Sequence, residues 1–397
     1  MATTPSGITY STGELIERLI GFDTVSSRSN LALIDFVRDY LASWGVPSRL
    51  IHNAERTKAN LYATVGPQER GGVVLSGHTD VVPVADQDWS RDPFRLHRAD
   101  GRLYGRGTTD MKSFIAIVLA RVPAMLASPL ETPLHLALSY DEEVGCVGVP
   151  DLIRDIASQA GPAVPHMAII GEPTGMKVIA GHKGVWMFET LVTGHEAHSS
   201  QTQLGVSAIM AGAQFVSFLA GLAEEMKAAD KLDPAFEPPW TSIHVGQIQG
   251  GTAHNIIPGR CRIGWEIRPL PGEDAAALAG RAAAYARDVL EPAMRMIAPG
   301  CAIVTQPGVR VAPLRPDGNA RVQNLARALT GENSVGMVSF GTEAGLFQDS
   351  GIEAVVCGPG HIAQAHQPDE YIALAQVEKC EAFVDQLIVW ARANRPA

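Results

Sequence analysis

The run VVLSGHTD, residues 73–80, decides the reading of this chain. An unbroken apolar stretch that ends at once in a polar turn describes a strand buried on both faces, because a half-exposed strand would alternate apolar and polar residues. The same grammar recurs in LHLALSY (134–140) before DEE, in MAII (167–170) before GEPT, and in AVVC (354–357) before GPG. Helical stretches such as 111–127 separate these runs. Together they predict an α/β fold built on a largely parallel sheet.

Upstream of this pattern, Ser11 followed by Glu14 has the spacing of a capping box, and Ile34, Val37, Leu41 and Trp44 form the apolar stripe of a second helix that Gly45 ends. Between 183 and 307 the texture changes. A strand-like segment (185–193) precedes a helix with Val206, Ile209, Ala213, Val216 and Leu219 on one face. Two strands (241–248 and 260–268), a helix (273–290) and a last strand (301–305) follow. This β-α-β-β-α-β order is ferredoxin-like and makes its own antiparallel sheet. The expected organisation is therefore a catalytic domain in two parts, 1–182 and 308–397, with an inserted α+β domain at 183–307. Pro307 and Gly308 would mark the return.

Composition removes several classes. The 397 residues carry a formal charge of −10 without a Lys/Arg cluster, which argues against a nucleic-acid partner. Apolar residues at 46% and charged residues at 19% suit a globular protein with a sizeable core. The five cysteines include no C-x-x-C pair, so neither a disulfide framework nor a thiolate zinc site is indicated. The N-terminus lacks the pattern of a secretory signal, and the most apolar run (114–130) is broken by Arg121 and Pro123. A cytoplasmic protein without membrane association is expected.

In open α/β sheets ligands bind at the carboxyl ends of strands, so the polar residues after each apolar run are the candidates. His78 and Asp80 follow the first run, and their two-residue spacing points both to one side. Asp110 lies in the glycine-rich GRGTTDMK (105–112), Asp141-Glu142-Glu143 follow the second run, Glu172 lies in GEPT, and His366 lies in QAHQPDEY. Singly, each has an ordinary explanation: Asp110 as a helix N-cap, the acidic triplet as a solvated turn, Glu172 as a turn acid, His366 as a loop histidine. As a set they suit two divalent cations of the zinc or cobalt kind, each taking an imidazole and a terminal carboxylate and sharing a bridging carboxylate and a water. A carboxylate left unligated could move the proton. The implied chemistry is metal-assisted hydrolysis of an acyl or amide bond.

The combination SGHTDVVP (76–83), LYGRGTTDMK (103–112), DEE (141–143), IIGEPT (169–174), GHEAHSS (194–200) and GPGHIAQAHQPDEY (358–371) resembles the M20 metallopeptidase family, in matching order through most of the chain. Within it, HKG (182–184), IRPLPGED (267–274), GTEA (341–344) and QAHQPDEY look most like the acetylornithine deacetylase and succinyl-diaminopimelate desuccinylase group. The resemblance implies a zinc- or cobalt-dependent amidohydrolase that acts on a small N-acyl amino acid. N2-acetyl-L-ornithine, in arginine biosynthesis, is the first choice and N-succinyl-diaminopimelate the alternative. It implies that Asp110 bridges the metals, that His78 and Glu172 complete one site and Glu143 and His366 the other. Glu142 would be the general base for the bridging water, and Asp80 would hold His78 through its second imidazole nitrogen. The inserted domain resembles a lid and dimerisation domain, implying a homodimer. There His198 matches the histidine that stabilises the oxyanion, in the partner's site, and Asn255 and Arg268 match substrate-holding positions. His195, His244 and His254 read as surface or structural.

Two departures stand out. Val144 to Gly148 after the acidic triplet, and His254, differ from the pattern near enough to affect acyl or side-chain preference; Cys146 reads as an inert buried thiol. A binding protein that had kept only the fold would have lost the base or a ligand, and none of the matched residues is missing.

Overall fold

Every residue of the strand Val73–His78 is buried, as an apolar run covered on both faces requires. It pairs in parallel with Leu134–Ser139 on one side and with Met167–Pro173 on the other, and Met167–Pro173 pairs in parallel with Glu353–Gly358. These four strands, which are the four apolar runs, form the centre of an eight-stranded sheet. Ala59–Val65 and Ser48–His52 extend it antiparallel at one edge, and Ile179–His182 and Gly336–Val338 lie at the other. The helices on its faces include Thr12–Ile20, opened by the Ser11–Glu14 capping box, and Leu31–Ser43, which buries Ile34, Val37 and Leu41. A nearly all-apolar helix, Lys112–Ala120, packs against the same core.

The structure, a computed structural model, describes residues 7–159, 161–229 and 231–395. They divide into two units: a larger one running to Gly181 and resuming over Leu314–Met337 and from Thr342, and a smaller one of His182–Pro313 and Val338–Gly341. The smaller unit has an antiparallel sheet in the order Ser242–Gly250, Arg260–Arg268, Val185–Thr193, Ala302–Val311. Helices Ala208–Ala228 and Ala275–Tyr285 bury Phe215, Leu219, Leu278 and Ala282 in a core that also holds Phe188, Ile263 and Trp265. Residue 182 lies at the first junction, but Pro307 and Gly308 sit inside the strand Ala302–Val311, at a register irregularity, and the chain returns only at Leu314. Proline can occupy that place because the edge of a sheet need not receive its missing N–H. Among the described residues, no helix is long and apolar enough to cross a membrane.

Candidate metal centre

Strand geometry delivers most of the larger unit's candidates to one end of the sheet. His78 is the last residue of its strand, the acidic triplet begins two residues after Ser139, and Glu172 lies near the end of Met167–Pro173. Gly171 makes the last placement possible, since a Cβ there would stand 2.1 Å from the Phe114 ring. Asp110 precedes the helix Lys112–Ala120, but that helix is capped by Met111 without any side-chain hydrogen bond. The capping explanation of Asp110 therefore fails, and its carboxylate turns into the site. His366 is held in the left-handed backbone region at φ 62° on the loop after Glu353–Gly358.

Asp110 stands between two imidazoles. Its Oδ1 is 3.0 Å from His78 Nε2 and its Oδ2 is 3.3 Å from His366 Nε2. Glu172 Oε1 approaches His78 Nε2 at 3.4 Å, and Glu143 Oε2 approaches His366 Nε2 at 3.1 Å. The arrangement is two sets, each of one imidazole and one terminal carboxylate, sharing an aspartate. Donor atoms of His78, Glu142 and Glu172, and of His78, Asp110 and Glu143, also lie within 4.8 Å of one another.

Orientation comes from the backbone as much as from side chains. His78 Nδ1 is 2.9 Å from the carbonyl oxygen of Asp80, which can only accept, so Nδ1 carries a hydrogen and Nε2 is the nitrogen turned to the site. The Asp80 carboxylate is 3.7 Å from Nδ1, beyond a hydrogen bond. The nearer contact to that imidazole is the same residue's carbonyl. The carboxylate instead accepts from Ser26 Oγ at 2.7 Å and from the backbone N–H groups of Glu142 and Glu143 at 3.1 and 3.3 Å. Asp80 thereby aims the acidic pair. Asp141, in a left-handed conformation at φ 56°, turns aside to an ion pair with Lys58 at 2.5 Å. Only the second and third acids of the triplet face the centre.

The electrostatics record a deficit of positive charge. Burial, and then Asp110, push Glu143 up to about 7, and the same two causes push Glu172 up to about 8. Burial and the neighbouring Glu172 hold Glu142 well above the ordinary carboxylate range. Hydrogen bonds to Asp110 and Glu143 raise His366 to about 10; in His78, Glu172 and Asp110 overcome a burial that opposes charge. Asp110 is lowered despite burial, through its hydrogen bonds to His366 and His78. The common cause is that several carboxylates converge where water cannot screen them. Oxygen and imidazole donors in two sets sharing a carboxylate fit two divalent ions.

Three acids and the three serines that bond them escaped the sequence reading. Glu343 is 1% exposed and accepts from Ser76 and from Ser139, the latter at 2.8 Å. It lies in GTEA, a segment noted only for its resemblance; nothing in its local pattern reveals that it is buried. Glu370, two residues before the short strand's Ile372, is also buried, against Arg106. Asp369, beside it, accepts from Ser90. Cys146 is buried, and its thiol lies 3.4 Å from Glu142 Oε1.

The smaller unit carries the remaining candidates. His198 and Asn255 lie on neighbouring segments, linked by the Ser199 N–H to the Asn255 carbonyl at 3.0 Å and by an isolated bridge between His198 and Ile256. His198 Nδ1 accepts from the Ser200 backbone N–H at 3.2 Å, which leaves the ring hydrogen on Nε2 as a donor. Arg268 ends its strand paired with Glu266 at 2.9 Å. His195, His244 and His254 are exposed.

Among known proteins, the profile of Peptidase family M20/M25/M40 matches residues 74–389. The chain is 37% identical over 378 residues to an acetylornithine deacetylase of Myxococcus xanthus, covering 94% of this chain and 95% of that one. It is 33% identical over 385 residues to an acetylornithine deacetylase of Proteus mirabilis, with the same coverage. Its fold is shared with a metallo-carboxypeptidase of Sulfolobus solfataricus (TM-score 0.73, 17% identity, 97% of this chain and 100% of that one). Human carnosine dipeptidase 1 is comparably similar (TM-score 0.71, 17% identity, 96% and 97%). A dinuclear metal-binding peptidase of Bacillus subtilis is also alike (TM-score 0.64, 15% identity, 96% and 98%).

Proposed function

Because the chain belongs to peptidase family M20/M25/M40, and is thus a metal-dependent amidohydrolase, we propose that it releases the acetyl group of N2-acetyl-L-ornithine as acetate. The observation that carries the mechanism is Asp110 held between His78 and His366, each with its own glutamate, while Glu142 touches neither imidazole. The named relatives, both acetylornithine deacetylases over nearly their full lengths, support the substrate.

His78, Asp110 and Glu172 would hold one zinc or cobalt ion, and Asp110, Glu143 and His366 the other. Such ions, when bound, polarise the amide carbonyl and acidify water toward neutral pH. The chain's own residues do the rest. Asp80 fixes the backbone of Glu142 and Glu143 and so sets where the base stands. Glu142 takes the proton from the attacking water on a carboxylate oxygen and delivers it to the departing amine nitrogen. His198 Nε2–H serves as a donor to the oxyanion, in a homodimer formed through the smaller unit. Arg268, freed from Glu266, pairs with the amino-acid carboxylate, and Asn255 adds a polar contact to the substrate.

Steady-state kcat/KM over a panel of N-acyl amino acids tests the substrate. N2-acetyl-L-ornithine is expected to be turned over fastest; negligible turnover of it beside brisk turnover of N-succinyl-diaminopimelate would move the assignment to that substrate.

A further inference from the structure

The buried pair Arg106–Glu370 joins the two loops that carry Asp110 and His366, although the proposed mechanism uses neither residue. Both are 1% exposed, and their side chains meet at 2.7 Å. Glu370 Oε1 accepts three backbone N–H groups of the loop that ends in Asp110: Gly107 at 3.1 Å, Thr109 at 2.8 Å and Asp110 itself at 3.1 Å. Arg106 faces the other way. Its Nη2 donates to Gln87 Oε1 at 2.5 Å, and Gln87 Nε2 donates to the carbonyl of His366 at 2.9 Å, while Nη1 reaches the Gln367 carbonyl at 3.3 Å. The guanidinium also lies 4.9 Å from the Trp89 ring centroid.

A carboxylate that accepts three amides and a guanidinium is held far more firmly than one facing water, and an arginine fork fixes angle as well as distance. Asp110 and His366 stand on loops distant in sequence, yet both must meet the ion that Glu143 completes. His78, by contrast, is aimed by its own strand and by the Asp80 carbonyl, independently of this pair.

We propose that Arg106, Glu370 and Gln87 are positioning residues of two kinds: Glu370 holds the loop of the shared Asp110 and so bears on both ions, whereas Gln87, held by Arg106, tethers His366 and bears on the ion on that side alone. The inference rests on the ligand assignment above. Contacts that orient metal ligands change affinity by about 10- to 100-fold when removed.

Cobalt(II) titration of metal-free protein, followed by visible absorption and calorimetry, tests it. His366→Ala identifies which binding step belongs to that side. Gln87→Ala is expected to weaken that step at least about 10-fold and the other less than about 3-fold, with the thermal midpoint of the metal-free protein nearly unchanged, whereas Glu370→Gln, which loosens the shared Asp110 and breaks a buried ion pair, is expected to weaken both steps and lower the midpoint. Gln87→Ala cuts the His366 tether at a partly exposed residue and leaves the Glu370 contacts to the Asp110 loop in place, so it decides the question even if the buried variant does not fold. Equal weakening of both steps by Gln87→Ala would mean the tether serves the fold alone, and unchanged affinities in Gln87→Ala or in Glu370→Gln would also overturn the proposal. Wild-type protein that takes up fewer than two ions would sink the ligand assignment itself, and this inference with it.

Discussion

Glu142 and Glu143 are chain neighbours with different partners. Glu143 lies against His366, whereas Glu142 has a thiol contact and no imidazole within ion-pair distance. That difference is what makes one a candidate ligand and the other a candidate base, and substitution separates them. Glu142→Ala is expected to keep two ions per chain, measured by elemental analysis, while kcat falls about 10²- to 10⁴-fold, the usual contribution of a positioned base; substantial residual turnover would remove Glu142 from that role. His198 allows a second check. With Nε2–H as a donor to developing charge, His198→Ala should lower kcat with KM little changed. In mixtures with Glu142→Ala protomers, some activity should return through hybrid dimers, and its absence despite demonstrated subunit exchange would place the action within one chain.

At the scale of elements, the parallel strands do the positioning, and their tolerances are tight. Gly171→Ala would press a methyl group into Phe114 and push Glu172 out of place. Overpacking of this kind costs about 1–3 kcal/mol, and thermal unfolding should show it together with weakened metal uptake. The strand Leu134–Ser139 holds a different kind of sensitivity. His135 is 1% exposed, with Nδ1 2.8 Å from Tyr62 Oη and 2.9 Å from Thr64 Oγ1, and burial pushes it down to about 3. The unfolded imidazole takes its proton near 6.5 and the folded one only near 3. Between those values the unfolded chain binds more protons, so stability is present above 6.5 and is lost as pH falls toward 3. Relative to His135→Phe, the wild-type midpoint should therefore drop progressively below pH 6.5; parallel curves for the two proteins would contradict the assignment.

For the whole molecule, the convergent carboxylates couple metal to stability. Their mutual repulsion would be relieved by bound cations, and ions that bind only the folded chain stabilise it by mass action, about 2.7 kcal/mol at a hundredfold excess over Kd. Chelation should therefore lower the unfolding midpoint, and added zinc or cobalt should restore it. A midpoint indifferent to chelator, with metal removal verified, would count against these residues as an ion site. The larger unit is assembled from chain segments on both sides of the smaller one, so His78 and His366 share one sheet end only after both segments have folded together.

The sheet was legible because its signal is local: a strand buried on both faces must be continuously apolar, and the four such runs are the four parallel strands. The candidate residues were legible for the same reason, since a strand end is where its run stops. Other features depended on contacts between distant segments. Pro307 has the look of a boundary but lies within a strand, because its neighbours across the sheet outweigh its turn propensity. Asp80 reaches His78 by its carbonyl and the acidic pair by its side chain, a choice set by where residues 142 and 143 come to rest. Which acid of the triplet turns away was decided by Lys58, and the burial of Glu343 and Glu370 by Ser76, Ser139 and Arg106. Sequence by itself determined the strands, the order of the units and the donor types, since periodicity and residue chemistry belong to the chain. Tertiary structure alone decided which oxygen faces which nitrogen, because hydrogen bonds and buried charges are satisfied between parts of the chain that no local pattern relates.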